Sequence, residues 1–445
     1  LPARLSLNSS HATMKQTTSK TLATLLATAA TLPGVTMEEL AARLEKLESK
    51  VDAYEAKYGP LDEPARPAAS AAARPAPAPA ALPSAKSSLG DNDIDALYSG
   101  GSSDNYGASS ALAWAEKTTI GGYGELHLSR DLGGSEDNAI DFHRWVLFLN
   151  HSFSDRIKLY SEFELEHSLA GDGAPGEVEL EQAYIDFTLD HGLSAKAGLF
   201  LIPVGLLNET HEPNTFFGVE RNRVESNIIP TTWWEAGAGL SQTLENGFGW
   251  DLAVHSGLDV PTTGSSAYRI RSGRQKVAEA PAQEPAATAR LRYNGLPGLS
   301  LSGFAQYQRD ITQTTSAEDN SAVLVGGTAV YQAGGFGLRA LIASWHIDGT
   351  DFEANDADHQ WGGYIEPSYT WSFGTDQRVG VFGRYSHYEY ARGAANAGGG
   401  SFDQFDIGVN YWPIDNVVLK ADYNHIVDED EEIESLLNLG VGYSF

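Results

Sequence analysis

Few side chains in this sequence are spaced for covalent or metal chemistry. His211-Glu212 opens like a zinc-binding HExxH helix, but Thr215 stands where the second histidine belongs, and Pro213 disfavours the helix. Asp91, Asp93 and Asp95 alternate like the start of a calcium loop, yet Ala96 replaces its glycine and Ser102 its bidentate glutamate. His143 and His151 share one alternating run but lie far apart along it, so neither is assigned a metal. GxSxG and Walker A motifs do not occur. The lack of cysteine removes disulfides, thiolate–zinc sites and thiol catalysis together. No catalytic residue, metal or cofactor is therefore expected, and an enzyme is not expected. What ionisable side chains can still do is set a field. Lys158, Glu162, Glu164 and Glu166 fall on one face of an alternating run, opposite Ile157, Leu159, Phe163 and Leu165.

The element that separates such faces is a strand, and strands fill the chain from Thr118 to Phe445. Runs of about ten to fourteen residues recur, and within them stretches such as Leu193–Leu201, Phe405–Tyr411 and Leu437–Phe445 alternate apolar with polar. Such lengths suit a tilted strand that crosses a bilayer. The links alternate too. Tight ones fall at Ser152–Asp155, Asp190–Gly192, Glu245–Gly249, Gly295–Gly298, Ala333–Gly335, Gly374–Gln377 and Trp412–Asn416. Longer polar links lie between them, at 259–284, 310–320, 348–360, 391–401 and 428–434. The fold class is thus all-β, a transmembrane antiparallel β-barrel of about sixteen strands over 118–445. Trp233, Trp234, Trp250, Trp361, Trp371 and Trp412 lie near run ends, where an interfacial girdle is expected. In Glu177–Leu189 the glutamates 177, 179 and 181 share parity with Ala183, Ile185 and Phe187, which requires a bulge or an early start of the loop. No run reaches the roughly 18 apolar residues of a spanning helix.

Ahead of the barrel three segments are expected. Residues 1–36 read as upstream residues and a signal peptide, with Lys15 and Lys20 before the apolar run Thr21–Pro33. Within 37–58, Met37, Leu40, Leu44, Leu47, Val51, Tyr54 and Tyr58 form a heptad seam, predicting a short coiled-coil helix that self-associates. Residues 59–117 are a Pro/Ala-rich, then Ser/Gly/Asp-rich, linker.

Within the barrel, Ala195–Pro230 (AKAGLFLIPVGLLNETHEPNTFFGVERNRVESNIIP) resembles the third-loop region of phosphate-selective porin O/P-type channels. Lys196, Gly198 and Phe200 match the strand, Pro203 and Gly205 the turn, and Glu220-Arg221 the pair that follows. The ending on Phe445, with Tyr443 and Val441 on its face, is similar to the terminal assembly signal of outer-membrane barrels. The resemblance covers roughly 118–445. It implies a trimeric outer-membrane porin of a Gram-negative bacterium, with the 37–58 segment in the periplasm and a third loop folded inward as a constriction. Its partners would be two further copies, outer-membrane lipid and lipopolysaccharide, and small hydrophilic solutes diffusing passively. Constriction residues would be Glu209, His211, Glu212, Glu220, Arg221, Arg223 and Glu225. Wall residues would be Arg144, Lys158, Glu162, Glu164, Arg290, Arg292, Lys420 and Asp422.

Charge bears on what passes. The whole chain carries 30 basic and 59 acidic side chains, so a polyanion would be repelled and nucleic acid is not a partner. Residues 114–445 carry 20 and 47, a net −27, which predicts weak cation preference. Arg221, Arg223, Arg269, Arg271, Arg274 and Lys276 hold open the alternative of anion or phosphate uptake. A structural or tethering barrel with a largely closed lumen is the other alternative.

Overall fold

A computed structural model describes residues 114–133, 138–314, 320–394, 398–429 and 433–445. The signal-like segment, the heptads, most of the linker and the Asp91–Asp95 run lie outside these residues. The strands are β1 (Thr118–Asp131), β2 (Ala139–Ser152), β3 (Ile157–Glu166), β4 (Val178–Thr188), β5 (Leu193–Leu201), β6 (Trp234–Thr243), β7 (Phe248–His255) and β8 (Ala286–Leu296). They continue as β9 (Leu299–Gln308), β10 (Ser321–Ala333), β11 (Phe336–Asp348), β12 (His359–Phe373), β13 (Gln377–Tyr390), β14 (Gly400–Ile414), β15 (Val417–Asp428) and β16 (Ile433–Ser444). Each pairs antiparallel with its sequence neighbours, and β1 pairs with β16, so the sheet closes. Closure satisfies every strand edge, the condition for a sheet in lipid. Phe445 completes the seam: its N–H donates to the Gly122 carbonyl at 2.9 Å, and the Gly122 N–H donates back at 3.0 Å.

The two faces of the cylinder are reversed relative to a soluble sandwich. In β14, Ile407 is 64 % exposed while adjacent Asp406 is 4 % exposed. Polar side chains on the inner face (Arg384, Asp406, Lys420, Asp422) are buried, and aliphatic ones (Leu291, Ile342, Leu439) stand outside. Short turns gather at one end, between β2 and β3, β4 and β5, and each later even–odd pair, with the long loops at the other.

Two irregularities re-aim side chains. Glu162 pairs with Gln182 but Phe163 with Leu180, so Glu181 is an extra residue in β4. That bulge resolves the parity conflict within Glu177–Leu189 and puts Glu181 and Gln182 together on the inner face. Between β1 and β2, Glu125 pairs with Arg144 but His127 with Asp141, so β2 carries an extra residue. Asp141, His143 and Arg144 consequently all face inward.

The girdle expectation holds only in part. Trp371 is 45 % exposed, beside exposed Tyr369 and Phe373. Trp233, Trp234 and Trp412 are buried: Trp233 packs on Trp345, and Trp412 meets the Phe217 ring edge-on at 5.8 Å. For Trp233 and Trp412 the reason is hydrophobic packing inside the barrel, in a large cluster around Trp233 and a smaller one around Trp412, which alternation alone cannot signal. In the large cluster, Phe200, Ile202, Val224, Ile228, Ile229 and Trp233 pack with Leu258, Ile270, Trp345 and Phe352. Two long loops supply much of it: 202–233, containing the short helix α1 (Val224–Asn227), and 256–285, containing a single 3-10 turn at Ile270–Gly273.

Candidate functional site

The loop 202–233 leaves β5 and returns to β6 with its two ends fastened together. The Ile202 N–H donates to the Trp233 carbonyl at 3.0 Å. Buried Asn208 spans the same gap. Its Nδ2 donates to the carbonyls of Ile202 (2.8 Å) and Trp233 (2.9 Å), and its Oδ1 accepts from the Trp233 N–H (2.7 Å). Glu225 supports the turn from within: one oxygen accepts from the N–H groups of Leu206 (2.7 Å) and Leu207 (2.6 Å), the other from the Tyr364 hydroxyl (2.7 Å). Burial nevertheless pushes its carboxyl above the ordinary range, those hydrogen bonds offsetting only part of the cost. Glu225 is fully buried, so its carboxylate serves the fold of the loop. Gly205, at φ +71°, lies where a Cβ would come within 2.8 Å of that carboxylate.

The far part of the loop lies on the inner wall. Lys420 Nζ donates to the Gly218 carbonyl (2.7 Å), Asp422 accepts from the Val219 N–H (2.5 Å), and Asn410 donates to the Phe216 carbonyl (3.1 Å). Trp345 Nε1 donates to the Ile228 carbonyl at 2.9 Å. Arg223 pairs with Glu434 at 3.1 Å, and Glu220 meets His127 at 2.5 Å. Glu209 reaches across to Arg290, which with Arg292 holds Asp251. Glu212 is partly exposed, its carbonyl accepting from the Thr215 N–H at 3.0 Å.

His211 is the most enclosed basic group of the loop, 3.4 Å from Glu162 and 3.5 Å from Glu181. Burial alone would lower its pKa, but the two carboxylates outweigh it and raise the ring to about 10. It is held as imidazolium.

The expected wall residues fall into two groups. Arg144, Glu162, Glu164, Lys420 and Asp422 face inward but are covered, either by the loop or by each other, with Arg144 bridging Glu125 (2.7 Å) and Glu164 (3.2 Å). Lys158, Arg290 and Arg292 face inward and remain partly open.

The loop 256–285, whose basic residues bore on selectivity in the sequence, also clamps the first loop, which the sequence did not signal. Arg271 donates to the carbonyls of Ser226 (3.0 Å) and Thr231 (2.6 Å), and Arg274 to Thr232 (2.6 Å). Lys276 reaches Glu177 and Glu179. Burial, then the nearby guanidinium groups of Arg274 and Arg221, push Arg271 down to about 9. No carboxylate lies within ion-pair distance of Arg221, Arg271 or Arg274 among the described residues, so these cations meet mainly carbonyl and hydroxyl oxygens.

Among the described residues, four groups of side chains bring metal-ligating atoms together: His127, His143 and Glu220; Asp141, His143 and His167; Glu162, Glu181 and His211; Glu164, Glu166 and Glu179. Sequence spacing missed them because each group draws at least one member from a different strand or loop. The only local signal was the run of paired charges opposite an apolar face.

The family model described as phosphate-selective porin O and P matches residues 122–435. An uncharacterized protein of Aquifex aeolicus (strain VF5) is 28 % identical over 349 residues, 74 % of this chain and 80 % of the relative. Among solved structures, an anion-selective porin from Comamonas acidovorans is similar at a TM-score of 0.50 and 11 % identity, over 74 % of this chain and 99 % of that one. OmpF of Salmonella typhi, in complex with daunomycin, is similar at 0.50 and 14 % identity, over 74 % and 97 %. These two likenesses concern the fold.

Proposed function

Because the chain belongs to the phosphate-selective porin O and P family, a family of outer-membrane channels and not of enzymes, we propose that it is a passive channel for small hydrophilic solutes or ions whose width is set by the loop 202–233. The observation that carries this reading is the chain of hydrogen bonds from Phe216, Gly218 and Val219 to Asn410, Lys420 and Asp422. These lay the loop across the inner wall instead of over the mouth. Glu209, Glu212, Glu220, Arg221 and Arg223 then border the narrowest passage, and His211 and Glu225 hold the loop that carries them. The partly open Lys158, Arg290 and Arg292 belong to the wall. In the outer membrane of a Gram-negative bacterium the short turns lie on the periplasmic side. The chain assembles as a homotrimer among lipid and lipopolysaccharide, with the 37–58 heptads as a periplasmic coiled coil.

The net −27 of residues 114–445 favours cations through the focused field. One observation favours the opposite sign: Arg221, Arg271 and Arg274 cluster around the carbonyls and hydroxyl of 226–232 without a carboxylate in ion-pair range. Reversal potentials of the purified protein in a KCl gradient decide between them. Weak cation preference is expected; a strongly anion-selective current would assign the channel to the guanidinium cluster. A silent bilayer would support a tethering barrel instead.

A further inference from the structure

We propose that Asp141, His143 and His167 bind a divalent transition-metal cation on the inner wall, at the end of the barrel that carries the long loops. The β2 bulge turns His143 inward beside Arg144. His167, the first residue after β3, is tied back by its N–H to the His143 carbonyl at 3.1 Å. Both rings then converge on one oxygen: Nδ1 of His143 lies 3.1 Å, and Nδ1 of His167 2.7 Å, from Asp141 Oδ2. Zinc bonds of about 2.0–2.2 Å in tetrahedral geometry place ligand atoms about 3.3 Å apart. The three side chains need only small shifts to reach that spacing.

Accessibility and donor type separate this group from the two that are built around Glu162 and Glu164. The Asp141, His143 and His167 side chains are 31 %, 23 % and 33 % exposed, so an ion can enter and keep open positions for water. His211 with Glu162 and Glu181 is sealed and already an ion pair. Glu164, Glu166 and Glu179 offer no nitrogen. The surroundings also suit a cation. His127 stacks on His143 at 4.6 Å and is held between Glu125 (3.2 Å) and Glu220 (2.5 Å). The guanidinium of Arg144, next to His143, is bound by Glu125 and Glu164. Two imidazoles and one carboxylate select zinc, copper or nickel over calcium and magnesium, which prefer all-oxygen shells.

The inference stands apart from the channel reading because binding is measured without flux. The test is titration calorimetry of the full chain in detergent with Zn²⁺ at neutral pH. One saturable equivalent is expected, unaffected by millimolar Mg²⁺. His143→Ala and His167→Ala should each weaken it about tenfold or more, whereas His346→Ala, on an exposed β11 histidine, should leave it unchanged. Two results would overturn the site: no saturable zinc binding by the wild-type chain, which needs no variant to fold, or equal affinity in the His143→Ala/His167→Ala double variant. An equal loss in His346→Ala would do the same.

Discussion

Asn208 makes three buried hydrogen bonds that close the neck of the loop. Asn208→Ala strands the Trp233 N–H, while the Trp233 and Ile202 carbonyls keep the N–H groups of Ile202 and Val204; at a net worth of about 1 kcal/mol per bond, it should destabilise the closed loop by about 2–3 kcal/mol. Amide exchange at the Trp233 N–H should report it while β9–β16 amides stay protected. His211 behaves differently because its contribution depends on pH. Its pKa is raised in the folded state, so the ion pair contributes fully below about 6.5. That contribution is lost as pH rises towards about 10. Protease cleavage within 206–220 should therefore increase between pH 7 and pH 10.5 in the wild type, and His211→Gln should flatten the change. Neither role was legible in the sequence. Asn208 looks like any loop asparagine, and the glutamates around His211 come from strands whose register is set by a bulge.

At the scale of elements, the strands were legible and the docking was not. Each strand carries its own evidence, because lipid outside and polar groups inside force a period of two along every run. The contacts that seat the loop join residues far apart in sequence: Val219 meets Gly440 and Pro213 meets Gly442 on β16. There the missing side chains are what admit the loop. A Cβ at 442 would stand 2.5 Å from Pro213 Cβ. Gly442→Leu should thus displace the loop from β16 and raise conductance while leaving the fold intact, which single-channel recording with a circular dichroism control would check. The inner hydrophobic core was hidden for a related reason. Leu341 and Ala343 face inward beside outward Ile342, so β11 is apolar on both faces there, and Trp345 and Ile347 continue its inner apolar row.

For the whole molecule, the barrel closes itself, and the proposed trimer raises the question of what the heptads ahead of it do. If the heptads act in assembly, deletion of residues 38–58 should lower the oligomer's resistance to heat and detergent, read by light scattering, with monomer strand content unchanged. An equally stable trimer would assign the heptads to docking or spacing.

The central claim is that the loop 202–233 narrows an open tube. Because Ile202 and Trp233 are hydrogen-bonded at its base, a short Gly-Ser link can replace residues 204–231 without parting β5 from β6. Single-channel conductance of this variant beside the wild type is the direct measurement. Finite wild-type steps that grow severalfold when the loop is removed are predicted; equal conductance in the two, or a wild-type chain that passes no current, would contradict the claim.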